Sequence, residues 1–266
     1  MFLAVFILGS AGGTAWAVFF RTVASPVSLR DALRQYRRDI AGSPTSPAAT
    51  SAPGPLANGV FGYRTTGGES LSILGVARSF PRATDMIVSD APANADILGG
   101  QCSVVSWVPI TQHTETTTVC PTTVAVDGRS SPAIALPQFV TYEAISNTVS
   151  TTTIACGATA FLVPPDAVKG AAWSTICHQS GSTANVVLTG QDLGSAIIKV
   201  AGTSISTTHI HLGIDFTGAE AGASPEDFWL ANGRIIQQSE TVNIVQGSVK
   251  YHETMLTTLT SLTPTR

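Results

Sequence analysis

The sequence predicts a mainly β protein, a curved antiparallel sheet or half-open barrel preceded by an N-terminal transmembrane helix. Three observations carry that expectation. Segments rich in Val, Ile and Thr recur from Gly59 to the C-terminus with turn residues between them, while long helical periodicity is nearly absent. Four cysteines fall among those segments at spacings without a CxxC pair. Ahead of them stands an uncharged apolar stretch, Phe2 to Phe20.

That stretch, FLAVFILGSAGGTAWAVFF, would span about 28 Å as a helix, close to the thickness of a bilayer's hydrocarbon core. Ala15-Trp16-Ala17 also satisfies the small-x-small rule of a cleavable signal peptide. The apolar run continues through Val18, Phe19 and Phe20, beyond a signal core of roughly 7–15 residues, so a retained single-pass anchor is expected. Arg21, Arg30, Arg34, Arg37 and Arg38 follow it and no basic residue precedes it, which by the positive-inside rule places the remainder in the cytoplasm. The cysteines and the linker argue for the opposite side, and a basic leader upstream of Met1 would reconcile the two.

Ser28 to Asp39 opens with a Ser cap and puts Leu29, Ala32, Leu33 and Tyr36 on one helical face, so residues 21–40 read as a basic juxtamembrane helix. Its arginines suit anionic headgroups, at about 1 kcal/mol for each basic residue. The plainer reading is a solvated helix leading into the linker. Residues 41–57 are uncharged and carry Pro44, Pro47, Pro53 and Pro55, the composition of an extended spacer. Residues 58–266 contain no second linker and read as one β-domain.

Charged residues are 12% of the chain and the formal net charge is -3, which leaves no basic footprint for nucleic acid once the juxtamembrane arginines are set aside. A hydrophobic fraction of 44% argues for a packed core and against disorder.

Cys102, Cys120, Cys156 and Cys177 are expected in disulfides, which implies an oxidising, extracytoplasmic compartment. Cys102 to Trp107 and Glu115 to Cys120 read as two strands about a turn at Pro109 to His113. An antiparallel register centred on Thr111 then sets Cys102 opposite Cys120. Cys156 with Cys177 follows by elimination.

The C-terminal part reads as a meander of Ala196 to Val200, Ser204 to Phe216, Asp227 to Leu230, Arg234 to Val245 and Ser248 to Leu259. Hairpin turns are expected at Asn232-Gly233 and Gln246-Gly247. Within it Thr208, Ile210, Leu212 and Ile214 share a core-facing side, and Thr207, His209, His211 and Gly213 share the other.

Several segments together resemble an uncharacterised family of actinobacterial membrane-anchored extracytoplasmic proteins. They are Gly59-Val60-Phe61-Gly62-Tyr63 with Thr65-Thr66-Gly67-Gly68-Glu69-Ser70, the series Cys102, Trp107, Cys120, and the region Pro164-Pro165 to Trp173 to Cys177. Asp227-Phe228-Trp229-Leu230 and Ser261-Leu262-Thr263-Pro264 complete the set. The resemblance implies a location without an assigned activity. The strand pattern of the ending is also similar in outline to the half-open barrels of periplasmic lipoprotein carriers.

Candidate sites are few. His209 and His211 project from one strand face, a geometry that could ligate zinc or copper if carboxylates completed the set, although a polar strand face is the plainer reading. Trp107, Trp173 and Trp229 could line a ligand cavity, or pack a core. His252-Glu253 lacks the second histidine of a zincin, since Leu256 stands there, and no Gly-x-Ser-x-Gly elbow occurs. Gly67-Gly68 lacks the Lys-Ser/Thr of a phosphate loop and reads as a turn. The expectation is a non-enzymatic cell-envelope protein, without a cofactor, whose exported domain binds a lipid or other apolar ligand. The alternatives are a structural or interaction module that docks another envelope protein, and a metal-dependent enzyme at His209 and His211.

Overall fold

A computed structural model describes residues 24–41, 56–72, 75–91, 102–145, 148–157, 159–166 and 168–266. The apolar stretch 2–20 and almost all of the 41–57 spacer lie outside the described residues. Among the described residues one helix, α1 (Leu29–Ala41), precedes fourteen strands. They are β1 (Gly59–Leu71), β2 (Val76–Ser79), β3 (Ala83–Asp90), β4 (Ser103–Ile110), β5 (His113–Val126), β6 (Arg129–Ile145) and β7 (Thr148–Cys156). β8 (Phe161–Val163), β9 (Ala172–Gln179), β10 (Asn185–Val200), β11 (Thr203–Thr217), β12 (Ala221–Ala231), β13 (Arg234–Gln246) and β14 (Val249–Leu259) follow.

The strands run as an antiparallel meander, β1-β3-β4-β5-β6-β7-β9-β10-β11-β12-β13-β14, and β14 then pairs with β1 from Tyr63↔Leu259 to Leu71↔Tyr251. This closure makes a twelve-stranded barrel and corrects the expected open sheet or half-barrel. Closure removes the edges that an open meander would leave unpaired. β2 pairs with β1, and β8 with β6, outside the ring. No helix among the described residues is long and apolar enough to cross a membrane.

Strand alternation fixes which side chains fill the lumen. On β14, Val249, Tyr251, Glu253, Met255, Thr257 and Leu259 are buried, and on β11 Ile210, Leu212, Ile214 and Phe216 are buried. The outward positions of β13 and β14 are mostly polar, Gln237, Ser239, Thr241, Asn243, Lys250, His252 and Thr254, with Val245 and Leu256 as apolar exceptions. That is the inverse of a lipid-facing barrel strand, whose apolar band points outward.

The Asn232-Gly233 turn forms where expected, and the second turn falls one residue later than expected, at Gly247-Ser248, because Gln246 still pairs with Val249. Asn232 and Gly233 both take positive φ, 51° and 75°, as a two-residue type I′ hairpin requires, and Gly247 takes 58°. The first disulfide hairpin keeps the expected register. Ser103↔Val119 and Trp107↔Glu115 continue to Cys102 beside Cys120, which are bonded, and Cys156 pairs directly with Cys177 across β7 and β9 and is bonded to it. Helix α1 lays Ala32 and Tyr36, with Leu33 partly buried, on the outward side chains Val60, Ile87 and Val108 of β1, β3 and β4. Arg30, Arg34, Arg37 and Arg38 are exposed.

Gly67-Gly68 is a point of correction, because it lies inside β1 and not in a turn. Here β1 exchanges its neighbour, pairing with β3 up to Arg64 and with β2 from Gly68. Gly67 has φ +130°, and a Cβ there would sit 1.9 Å from the Thr254 carbonyl oxygen of the closing strand; at Gly68 a Cβ would sit 2.3 Å from the Arg78 carbonyl oxygen. Only glycine meets both demands at Gly67. Gly67→Ala should therefore cost roughly 3 kcal/mol or more by chemical denaturation. Gly128→Ala, whose Cβ would meet nothing within 4 Å in a hairpin turn at φ +75°, should cost only about 1 kcal/mol.

Candidate functional site

On four strands an acidic residue occupies the phase of the apolar set. Glu69 on β1, Glu240 on β13, Glu253 on β14 and Glu226 on β12 are all buried among inward positions. His113 and Glu143, from β5 and β6, are buried opposite one another, and Glu115 lies two residues beyond His113 on the same face. Barrel closure sets Glu69 directly opposite Glu253, and the β12–β13 ladder sets Glu226 opposite Glu240. Facing like charges would repel, so the site must be neutralised from within.

Part of the neutralisation comes from β2. Arg78 faces Glu69 in register, and its Nε lies 2.6 Å from Glu69 Oε1. Its Nη2 donates to Glu143 Oε1 and Oε2 at 3.0 and 3.2 Å, and Nη1 donates to the Ala144 carbonyl at 3.1 Å. His113 Nδ1 stands 3.0 Å from Glu69 Oε2 and 3.4 Å from Glu143 Oε1, while Nε2 stands 3.3 Å from Glu115 Oε1 and 4.0 Å from Glu253 Oε1. The Tyr251 hydroxyl donates to Glu69 Oε2 at 3.0 Å and is also hydrogen-bonded to Glu253 Oε2.

Protons supply the rest. Burial would raise Glu69, but the hydrogen bond and charge of His113, with Arg78, outweigh it and hold this carboxyl below the usual range. Burial, against the pull of His113, raises Glu143; burial and the neighbouring carboxylates push Glu226 and Glu253 well up. Burial and the charge of Glu115 raise Glu240 to about 8. Burial works against the charged form of His113, yet Glu253, Glu115, Glu143 and Glu69 together raise it well above its ordinary value. One hydroxyl proton cannot serve two carboxylates. Protonated Glu253 donating through Oε2 to Tyr251, which in turn donates to ionised Glu69, gives each of these two contacts its own proton and leaves Glu253 Oε1 unpartnered.

No family model, no curated protein and no solved structure matches this chain. The site therefore stands on its own geometry. Among the described residues two groupings could hold a metal ion, Glu69 with His113 and Glu253, and Glu115 with Glu240 and Glu253; within each, the ligand atoms lie within 4.8 Å of one another.

The residues singled out from the sequence lie elsewhere. His209 and His211 sit on the outer face, where their ring nitrogens Nε2 and Nδ1 lie 2.9 and 3.2 Å from the same oxygen of Asp227. His209 stacks on Trp229 at 4.4 Å between ring centroids. Trp229 thus belongs to the outside of the barrel and shares no cavity with Trp107 and Trp173. Trp107 donates to Thr84 Oγ1 at 3.2 Å and packs edge-on against Phe80 and His113. Trp173 donates to the Phe161 carbonyl at 3.1 Å and covers Gly190, where any Cβ would collide with the indole. His252 points outward to Asn243, while its neighbour Glu253 is fully enclosed. The signal that would have found the site is an acid in register with the apolar positions of a strand, as in Tyr251-x-Glu253-x-Met255.

Two outcomes test this electrostatic account. Arg78→Met leaves Glu69 and Glu143 without their cation, and should cost about 3–5 kcal/mol in denaturant unfolding. Glu240 is raised from 4.5 to about 8 on folding, so its contribution is fully present below pH 4.5 and lost as pH rises through 8. In chelator-treated protein the melting temperature should fall between pH 5 and 9, and Glu240→Gln should flatten the alkaline side of that profile.

Proposed function

We propose that the chain is a non-enzymatic module of the cell envelope, a disulfide-bonded barrel carried outside a membrane that acts through its outer surface on other envelope components. The observation that carries this reading is the close packing of the lumen among the described residues. The spaces there include ones of about 40 and 30 Å³ between inward side chains, one beside Glu115, Glu226 and Glu240 and one beside Met86, Trp107 and Phe228. Each holds a few water molecules at most, since one water needs roughly 10–15 Å³, whereas pockets for organic ligands run to about 300–1,000 Å³. The two disulfides support an oxidising location.

Helix α1 supports apposition to the membrane. Its apolar side is spent on β1, β3 and β4, so the exposed Arg30, Arg34, Arg37 and Arg38 are held on the barrel, 10 to 18 residues after the apolar stretch ends at Phe20. The actinobacterial membrane-anchored family that the sequence resembles belongs to the same reading.

Native mass spectrometry of the full chain released from detergent tests it. A mass lower by four hydrogens, with no adduct of lipid size, is the expected result. A retained acyl lipid would overturn the filled-lumen reading in favour of a carrier. Replacing the four helix arginines by glutamine should weaken co-sedimentation with vesicles containing anionic phospholipid and leave the melting temperature nearly unchanged.

A further inference from the structure

The interior cluster contains an arrangement that the packing of a core does not require. His113 Nε2 and Glu253 Oε1 are buried without a hydrogen-bond partner, on side chains that are 0% exposed. They face each other at 4.0 Å, with Glu115 Oε1 3.3 Å from the same nitrogen. His113 Nε2 has the Glu115 carboxylate beside it, but leaving Glu253 Oε1 unpaired is costly, and the sequence has not filled the space with apolar side chains. Donors held about 2.1 Å from one cation stand about 3.0 Å apart at a right angle and about 3.4 Å apart at the tetrahedral angle. The 3.3 and 4.0 Å separations lie within the about 4.2 Å that two such donors can span across one centre. Glu240 joins Glu115 and Glu253 within 4.8 Å, and the adjoining space of about 40 Å³, lined by Glu115 and Glu240, has room for coordinating water.

The opposite side of the imidazole is already fixed. Nδ1 faces Glu69 Oε2 at 3.0 Å, and Glu69 is held by Arg78 and Tyr251. A carboxylate behind one ring nitrogen, with the other nitrogen presented to a centre, is how metal-ligating histidines are oriented. The mixed imidazole and carboxylate donors favour a first-row transition cation over calcium or magnesium, which take oxygen ligands.

We propose that the barrel lumen binds one divalent transition cation through His113, Glu115, Glu240 and Glu253, with Glu69 positioning the histidine. The inference goes beyond the surface-acting role above and is independent of it. The ion ties β5, β13 and β14 together across the lumen, close to the seam where β14 meets β1.

The full chain, stripped with chelator, would be equilibrated separately with MnCl2 and ZnCl2, freed of excess ion and analysed by elemental mass spectrometry and thermal melting. About one ion per chain and a melting rise of at least about 5 °C are expected for one of them. Glu253→Gln should melt cooperatively in chelator, bind at least tenfold less ion and lose the rise. The His209→Ala/His211→Ala double variant, altered only on the outer face, should load fully. Should Glu253→Gln not fold, Glu240→Gln carries the same readout. The proposal is overturned if the parent chain retains neither ion, if the lumen variants load as fully as the parent, or if the outer-face variant loses the ion.

Discussion

Closing the sheet between β1 and β14 is the constraint on which the rest of this structure depends. In an open or half-open sheet the acids on the concave side would face water, and their charges would be screened. Closure places Glu69 opposite Glu253 inside the ring, buried and a few ångströms from His113 and Glu115. In that environment several carboxyls cannot all remain ionised at once. The raised carboxyls and the approach of Glu253 to His113 and Glu69 descend from that single ladder.

The departures from regular structure serve the same end. β1 changes partner from β3 to β2 at Gly67-Gly68, and the exchange delivers Arg78 to the lumen opposite Glu69. A barrel made only of hairpins would have no such inserted strand and no cation among its acids. The bulge between Trp229 and Leu230 acts on the far side, letting Ile235 and Ile236 both be buried while the alternation of β13 continues through Gln238 and Glu240. The two disulfides join neighbouring strands that are already paired, so they tie β4 to β5 and β7 to β9 without bending the ring.

Legibility from the sequence follows the range of the interaction concerned. The turn at Asn232-Gly233, the apolar face Ile210, Leu212 and Ile214 of β11, the register about Thr111 with its Cys102–Cys120 bond, and the Ala32, Leu33 and Tyr36 face of α1 are decided by residues close together in the chain and were readable, whereas Leu29 is exposed and Thr207 buried against expectation. The interior site was not. His209 and His211 drew notice because they are two residues apart, yet that spacing puts them on the outer face with Asp227. His113 and Glu253 are 140 positions apart in the sequence and meet only because the ring closes.

What the sequence determined by itself was therefore a mainly β domain, its strand faces, its hairpins and its disulfide pairing, because alternation and turn chemistry act over a few residues. Only the tertiary structure decided that the sheet closes, that Gly67-Gly68 is a partner exchange and not a turn, that Trp229 faces outward, and that scattered glutamates share one lumen. The closure and the shared lumen rest on pairing between the two ends of the domain. No local pattern encodes such a contact, since its stabilisation appears only once the last strand finds the first.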